Sequence, residues 1–283
     1  MEERIQVTRI RQKIAKETEP FYASLFTENH KFRPSFDNLN MPVLSVMDSI
    51  TLEKEFTEVE VKQVFDHFGV KKSPGPDGFT MEFYKQAWEI HDGILIASEL
   101  INSRLRSQET GIICKVDFEK AFDNLNWGCV DTKLARFGFG YKWRSWIKWC
   151  ITTPRFVVLI KGEANKMFRN QKGINQGDPI FAFLFILVPE VLSLMFKSSA
   201  NQGLISGFTA EQGPAITQLH FADDFIVFLY DNETQVQNLK NLLIAFETIY
   251  GLKVNFKKST IVGLGQFHNG DACAEIFGCS CTQ

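Results

Sequence analysis

The apolar residues of this chain change period several times, and each change marks an element. Ile5, Ile10, Ile14, Phe21 and Leu25 fall roughly on one helical face, so residues from about 5 to 29 read as a helix, and Pro34 and Pro42 then mark an extended linker. Thr57 with Glu60 forms a capping box ahead of Val61, Val64, Phe65 and Phe68, in a helix that stops at Gly69. Ser73–Gly78 is turn-rich, and helices follow at about Met81–Trp88 and Ile94–Leu105. Strand and helix then alternate. Strands are expected at Gly111–Asp117, Phe156–Lys161 and Lys166–Gln171, and helices near Trp127–Phe137, Lys142–Cys150, Pro179–Lys197 and Thr234–Tyr250, ahead of a closing strand pair. The apolar runs Ile216–Ala222 and Phe225–Tyr230 have strand length and are separated by Asp223 and Asp224, which places the acids at a hairpin turn. The expected fold class is α+β, with helices packed on one face of a small, largely antiparallel sheet.

The acids at these strand ends are the chemically informative residues. Asp117 closes one apolar strand, and Asp223 and Asp224 sit between two others. Adjacent carboxylates at a core's edge destabilise each other unless a cation neutralises them, and oxygen-only ligands suit Mg²⁺ or Mn²⁺ rather than zinc. Two such ions held by carboxylates align a hydroxyl with a triphosphate in polymerases. A solvated Asp-Asp turn is the plain alternative.

Five segments occur in a fixed order: Lys71-Lys72-Ser73-Pro74-Gly75-Pro76-Asp77-Gly78-Phe79-Thr80, Asp117-Phe118-Glu119-Lys120-Ala121-Phe122-Asp123, Gly173-Ile174-Asn175-Gln176-Gly177-Asp178-Pro179, the Ala222-Asp223-Asp224 hairpin, and Gly251-Leu252-Lys253-Val254-Asn255-Phe256-Lys257-Lys258-Ser259. Together they resemble the reverse transcriptase domain of non-LTR (LINE-type) retrotransposons, notably the plant lineage. The resemblance implies a right-hand polymerase palm and an RNA-directed DNA polymerase, using two Mg²⁺ (or Mn²⁺) ions and dNTPs on an RNA template with a DNA primer. It assigns catalysis to Asp117, Asp223 and Asp224, and metal ligation to Asp117, Asp223 and the main-chain carbonyl of Phe118. It sets Phe122 beneath the sugar, where a 2′-hydroxyl would clash, Gln176 and Gly177 against the incoming nucleotide and its pairing base, and Lys258 near the leaving pyrophosphate. Core packing of Phe122, a capped loop at 173–179 and a solvated Lys257-Lys258 strand end are the plain alternatives for these residues.

The same resemblance divides the chain into an N-terminal helical extension (1–70), a residual fingers region (71–110), a palm (111–265) and a truncated C-terminal tail (266–283). Relatives carry a long basic stretch where Trp88-Glu89-Ile90-His91 here runs directly into Asp92, so a fingers deletion near Ile90–Asp92 is expected, with truncation at both ends. Asn175 stands in place of the family's Arg, and an interior Pro189 costs about 3 kcal/mol or a kink. Two functional readings follow: a working polymerase domain, and an inactive remnant that at most binds nucleic acid or protein. A nuclease would share the acids but not the order of the segments.

Composition narrows the picture little further. At 283 residues and 45% apolar content the chain can bury one or two cores. No run of eighteen apolar residues occurs, so no membrane association is expected, and charges throughout Met1–Lys16 fit neither a signal nor a transit peptide, which leaves a cytosolic or nuclear setting. Cys114, Cys129, Cys150, Cys273, Cys279 and Cys281 lack zinc spacing and read as free thiols. Net charge is only −2, but Lys133, Arg136, Lys142, Arg144, Lys148, Arg155, Lys161, Lys166, Arg169 and Lys172 face a single acid, Glu163, over a segment that also holds Trp143, Trp146 and Trp149. Such interleaving suits a nucleic-acid backbone with stackable bases, or a helix with a tryptophan core stripe and solvated cations.

Overall fold

The computed structural model describes residues 14, 16–18, 20–30, 33–34, 39, 41–60, 63, 89–119, 121–160, 163–164, 167–174, 179–209, 213–221, 224–265 and 269–282. After a helical stretch at 20–25 come α1 (Val46–Leu52), α2 (Glu89–Arg106), β1 (Gly111–Val116), β2 (Phe118–Glu119), α3 (Ala121–Asn124), α4 (Trp127–Arg136) and α5 (Tyr141–Thr152). Four short strands follow, β3 (Arg155–Phe156), β4 (Leu159–Ile160), β5 (Glu163–Ala164) and β6 (Phe168–Arg169), then α6 (Pro179–Asn201). The chain continues through β7 (Phe208–Thr209), β8 (Ala215–Ile216), β9 (Gln218–Phe221), β10 (Asp224–Leu229), α7 (Glu233–Tyr250), β11 (Lys253–Val254), β12 (Thr260–Leu264), α8 (Gly270–Phe277) and β13 (Ser280–Thr282).

One five-stranded sheet, ordered β13-β12-β1-β10-β9, organises the rest. Its pairs are antiparallel except β12 with β13. Side chains alternate along β1, so Ile112, Cys114 and Val116 are fully buried on one face, with Phe225, Val227 and Leu229 from β10 beside them. Helices α4 to α8 supply most of the rest of that core. In α7, Val236, Leu239, Leu243, Phe246 and Tyr250 recur at helical spacing and are buried, while Asn232 caps the start by accepting from the Thr234 N–H. The helix ends where Gly251 takes φ +78, a left-handed conformation in which a Cβ would lie 2.6 Å from the Asn124 carbonyl oxygen.

The opposite face of the sheet is covered at one end. Leu100 of α2, Phe208, Phe228 and Leu264 form a second, smaller core there, with Ile113 and Ile226 packed against it. Farther along β1 that face opens, and Lys115 is exposed. Asp117, the next residue of this alternating row, therefore lies at the uncovered end of the sheet.

Two segments carry structure that the sequence reading left open. Residues 270–282, expected as a truncated tail, form α8 and a strand whose register with β12 pairs Ile261 with Cys281. Helix α6 runs through Pro189 without interruption, held by Leu184, Val188, Val191, Leu192 and Phe196 buried on either side of it. The expected capping box is present: the Thr57 N–H donates to Glu60 at 2.8 Å and the Glu60 N–H to Thr57 Oγ1 at 3.2 Å. The Ser73–Gly78 segment lies outside the described residues.

Candidate active site

Asp117 leaves β1 with its backbone bracketed by one turn. Its N–H donates to Ser259 Oγ at 3.1 Å, and its carbonyl accepts from the Asn255 N–H at 2.7 Å. The Ser259 hydroxyl is fully buried and donates in turn to the Asn255 carbonyl at 2.9 Å, closing the bracket. Lys258, exposed, rides on this turn, its N–H bonded to the Asn255 carbonyl at 3.1 Å. The turn thus brings Lys258 to the same strand end as Asp117. Ser259 was missed by sequence reasoning, which had only a short polar segment to go on; a lone Ser beside two lysines carries no signal of its buried contact.

The hairpin supplies the other acids. β9 and β10 pair from Val227↔Gln218 to Asp224↔Phe221, leaving Ala222 and Asp223 between the strands, outside the described residues. The register of β1 with β10 ends at Val116↔Phe225, so Asp117 and Asp224 are the next residues beyond that last pair. Asp117 is half-buried, and among the described residues its carboxylate has no hydrogen-bond or ion-pair partner. No three His, Cys, Asp or Glu residues gather as a metal-holding group among the described residues, which do not include Asp223.

Phe118 is anchored by its ring. It packs against Phe225 and Phe246, each at a centroid distance of 6.2 Å, while its backbone pairs with Val254 in the β2–β11 ladder. Phe122 lies in α3, and its ring is outside the described atoms. Gln176 and Gly177 are outside the described residues, which run only up to Ile174 ahead of them. Gly173 has φ +79, and a Cβ there would come within 2.6 Å of the Asp123 carbonyl oxygen. Its N–H donates to the Leu125 carbonyl at 2.8 Å, and its carbonyl accepts from Trp127 Nε1 at 2.6 Å. The Gly173 segment is therefore stitched to the stretch that follows Asp117, bringing two of the five sequence motifs together.

Residues 79–269 match the reverse transcriptase (RNA-dependent DNA polymerase) family. The chain belongs to that family. It is 27% identical over 187 residues to a retrovirus-related Pol polyprotein from the type-1 retrotransposable element R2 of Popillia japonica, covering 64% of this chain and 25% of that one. It is 29% identical over 153 residues to the polyprotein of the type-2 element R2DM of Drosophila melanogaster, covering 54% and 14%. An uncharacterized mitochondrial protein of Arabidopsis thaliana is 37% identical over 69 residues, 24% of this chain and 57% of that one. The chain thus spans a quarter or less of the two retrotransposon polyproteins. Among solved structures, apo telomerase from Candida tropicalis, truncated from its C-terminal domain, superposes with a TM-score of 0.43 at 18% identity, over 77% of this chain and 42% of that one. The relatives place the chain with reverse transcriptase domains of non-LTR retroelements.

In this reverse transcriptase domain the basic segment is not one continuous surface. Lys133, counted from sequence among the phosphate-facing bases, is only 3% exposed, and its Nζ lies 5.1 Å from the Phe137 ring centroid with no hydrogen-bond partner. Burial, partly offset by Glu190, lowers its pKa to about 7. Arg144 pairs with Asp131 at 3.0 Å, Lys142 Nζ donates to the Glu53 carbonyl at 3.0 Å, and Lys172 Nζ donates to Asn124 Oδ1 at 3.1 Å. Trp143 stacks on Phe139 at 4.5 Å and Trp146 packs against Phe56, but Trp149 is 67% exposed. The periodicity could not separate these fates, because α5 places bases on both of its faces.

A polar clasp from the N-terminal segment braces the reverse transcriptase motifs. Glu28 accepts from Asn126 Nδ2 at 2.6 Å and from the His30 N–H at 2.9 Å, and pairs with Arg33 at 3.2 Å. Arg33 donates to the Thr248 carbonyl at 2.9 Å, at the C-terminal end of α7 where a cation is favoured. Burial opposes ionisation of Glu28, but these bonds and the Arg33 charge prevail and hold its carboxyl below the usual range. Phe26 stacks on Phe156 at 5.2 Å, and its carbonyl accepts from the Gln171 N–H at 2.8 Å, two residues before Gly173. Phe26, Glu28 and Arg33 are therefore part of the packed domain, through contacts with positions about a hundred or more residues away that no local pattern announces.

None of the six cysteines is bridged in a disulfide, and no described helix is long and apolar enough to cross a membrane.

Proposed function

We propose that this domain is an RNA-directed DNA polymerase that adds dNTPs to a DNA primer 3′-hydroxyl on an RNA template. The observation that supports the reading is the register of β1 with β10, whose last pair, Val116 with Phe225, leaves Asp117 and Asp224 as the next residue on either side at the open end of the sheet. Carboxylates in this relation, with no cation paired to Asp117 among the described residues, make an all-oxygen donor set that fits Mg²⁺ or Mn²⁺.

Asp117 and Asp223, with the Phe118 carbonyl, would hold two such ions, and Asp224 would support them. Bound there, the metals activate the primer hydroxyl and neutralise charge on the triphosphate. The other assignments concern positioning. The Ser259–Asn255 bracket fixes the Asp117 backbone, and packing against Phe225 and Phe246 fixes Phe118. Phe122 lies beneath the sugar and excludes a 2′-hydroxyl. Gln176 and Gly177 meet the nucleotide and its pairing base, a few residues after Gly173, which Trp127 Nε1 pins. Lys258, on the bracketing turn, offers charge to the leaving pyrophosphate.

A second reading is favoured by one observation. α2 is a single helix from Glu89 to Arg106, continuous through Ile90–Asp92, with no strand between it and β1. That supports the fingers deletion inferred there, and with it an inactive remnant, descended from the plant lineage of these elements, that keeps nucleic-acid contacts. Mg²⁺-dependent dNTP incorporation on a primed RNA template separates the two readings: the polymerase incorporates and loses this in Asp223→Ala, whereas the remnant incorporates nothing.

A further inference from the structure

We infer that the outer face of α5 and the β3–β6 hairpin is an RNA-binding platform separate from the catalytic strand end. Helix α5 turns Ile147 and Ile151 into the core at 8% and 5% exposure. Tyr141, Lys148 and Trp149, at i, i+7 and i+8, form one stripe on its other side, with Tyr141 79% and Trp149 67% exposed. Only Thr153 and Pro154 separate this helix from β3, so the stripe runs on into the hairpin.

The hairpin itself carries the second observation. Its register sets Arg155 directly opposite Arg169 and Phe156 opposite Phe168. The phenylalanines pack on Phe26, while both arginines are exposed. Like charges directly opposed across a ladder destabilise it, and an anion lying between them reverses the sign. Among the described residues neither arginine, nor Lys148, has an ion-pair partner. Other bases of the same segment are already partnered: Arg144 with Asp131, and Lys142 and Lys172 with protein oxygens.

Three cations with no ion-pair partner among the described residues, beside two exposed aromatic rings, select a partner that is both polyanionic and rich in flat apolar faces. Single-stranded RNA offers phosphates for Lys148, Arg155 and Arg169 and bases for Trp149 and Tyr141. An acidic peptide offers the charge without the stacking. The choice of RNA over DNA rests on the polymerase reading above, in which the template is RNA; the platform deepens that reading by giving the strand a seat outside the catalytic centre.

Titration of a fluorescein-labelled twelve-nucleotide RNA, unprimed and without Mg²⁺ or dNTPs, followed by anisotropy over a range of salt, tests the platform independently of polymerisation. Arg155→Gln with Arg169→Gln is expected to reduce the slope of log affinity against log salt by about 1.4. Trp149→Ala is expected to weaken binding at least about fivefold while leaving that slope unchanged. Both variants alter exposed side chains, and matching thermal melts confirm the fold. Unchanged affinity and slope in both variants overturns the proposal. So does loss of binding in the arginine variant with none in Trp149→Ala and equal competition by polyglutamate, since that describes a general anion surface. Loss of incorporation with intact platform binding would count against the polymerase reading alone.

Discussion

Lys133 provides a quantitative test of the core. Its ammonium is almost fully buried, without a hydrogen-bond partner, and its pKa falls from the usual 10.5 to about 7. At about 1.4 kcal/mol per pH unit, holding the charged form in this site costs about 5 kcal/mol. Between about pH 7 and 10.5 the unfolded chain binds one proton more than the folded chain, so stability rises with pH through that window by up to about 1.4 kcal/mol per unit. Lys133→Met keeps the length and removes the charge. Chemical denaturation of both proteins should find the variant more stable by about 4 kcal/mol near pH 6.5, with the difference shrinking by about 2 kcal/mol near pH 8.5. Higher pH is uninformative for the wild type alone. Burial pushes the Cys129, Cys273 and Cys279 thiols up to about 11, so the unfolded state ionises first and stability falls above about pH 9. The difference between the two proteins cancels that background. A variant less stable than the wild type, or a difference that does not change with pH, would refute the burial argument.

Three further outcomes follow from the site. Ser259→Ala removes the acceptor of the Asp117 N–H, so it should cost about 1 to 2 kcal/mol in denaturation and lower kcat about tenfold with KM little changed. Gly173→Ala must place a Cβ at φ +79 against the Asp123 backbone and should destabilise by about 2 to 3 kcal/mol, whereas Gly203→Ala, at φ +71 with nothing within 4 Å, should cost only about 1 kcal/mol; equal effects in melting experiments would contradict this. Glu28, with its carboxyl held below 4.5, contributes stability that is present above that value and lost as pH falls through its folded pKa, so Glu28→Gln should flatten the acid limb of the stability profile.

Much of the palm was legible in the sequence because its signals are local. Strand-length apolar runs flanking Asp223 and Asp224 predicted the hairpin, and the observed strands stop at Phe221 and Asp224. The Thr234–Tyr250 periodicity ended at Gly251, where the backbone is left-handed. The rest depended on long-range packing. Charge counting assigned Lys133 to a solvent face because a lysine looks the same in sequence whether its helix turns it outward or, as here, under Phe137. The Ser259 hydroxyl, the Glu28–Asn126–Arg33 clasp and the α2 core on the second face of the sheet each join residues far apart in the chain. Cys281 shows the same limit: its strand exists through pairing with Ile261, and a three-residue polar segment has no periodicity to announce it.

Nucleotidyl transfer at Asp117, Asp223 and Asp224 is the chemistry proposed for the strand end. It is tested most directly by Mg²⁺-dependent dNTP incorporation on a primed RNA template, run with wild type, Asp117→Asn and Asp223→Ala and with a chain carrying a family fingers segment between His91 and Asp92. A working polymerase site incorporates dNTPs, loses this in both aspartate substitutions and gains from the added segment. Absence of incorporation in the wild type and in the chain with the added segment, both folded, would contradict the proposal.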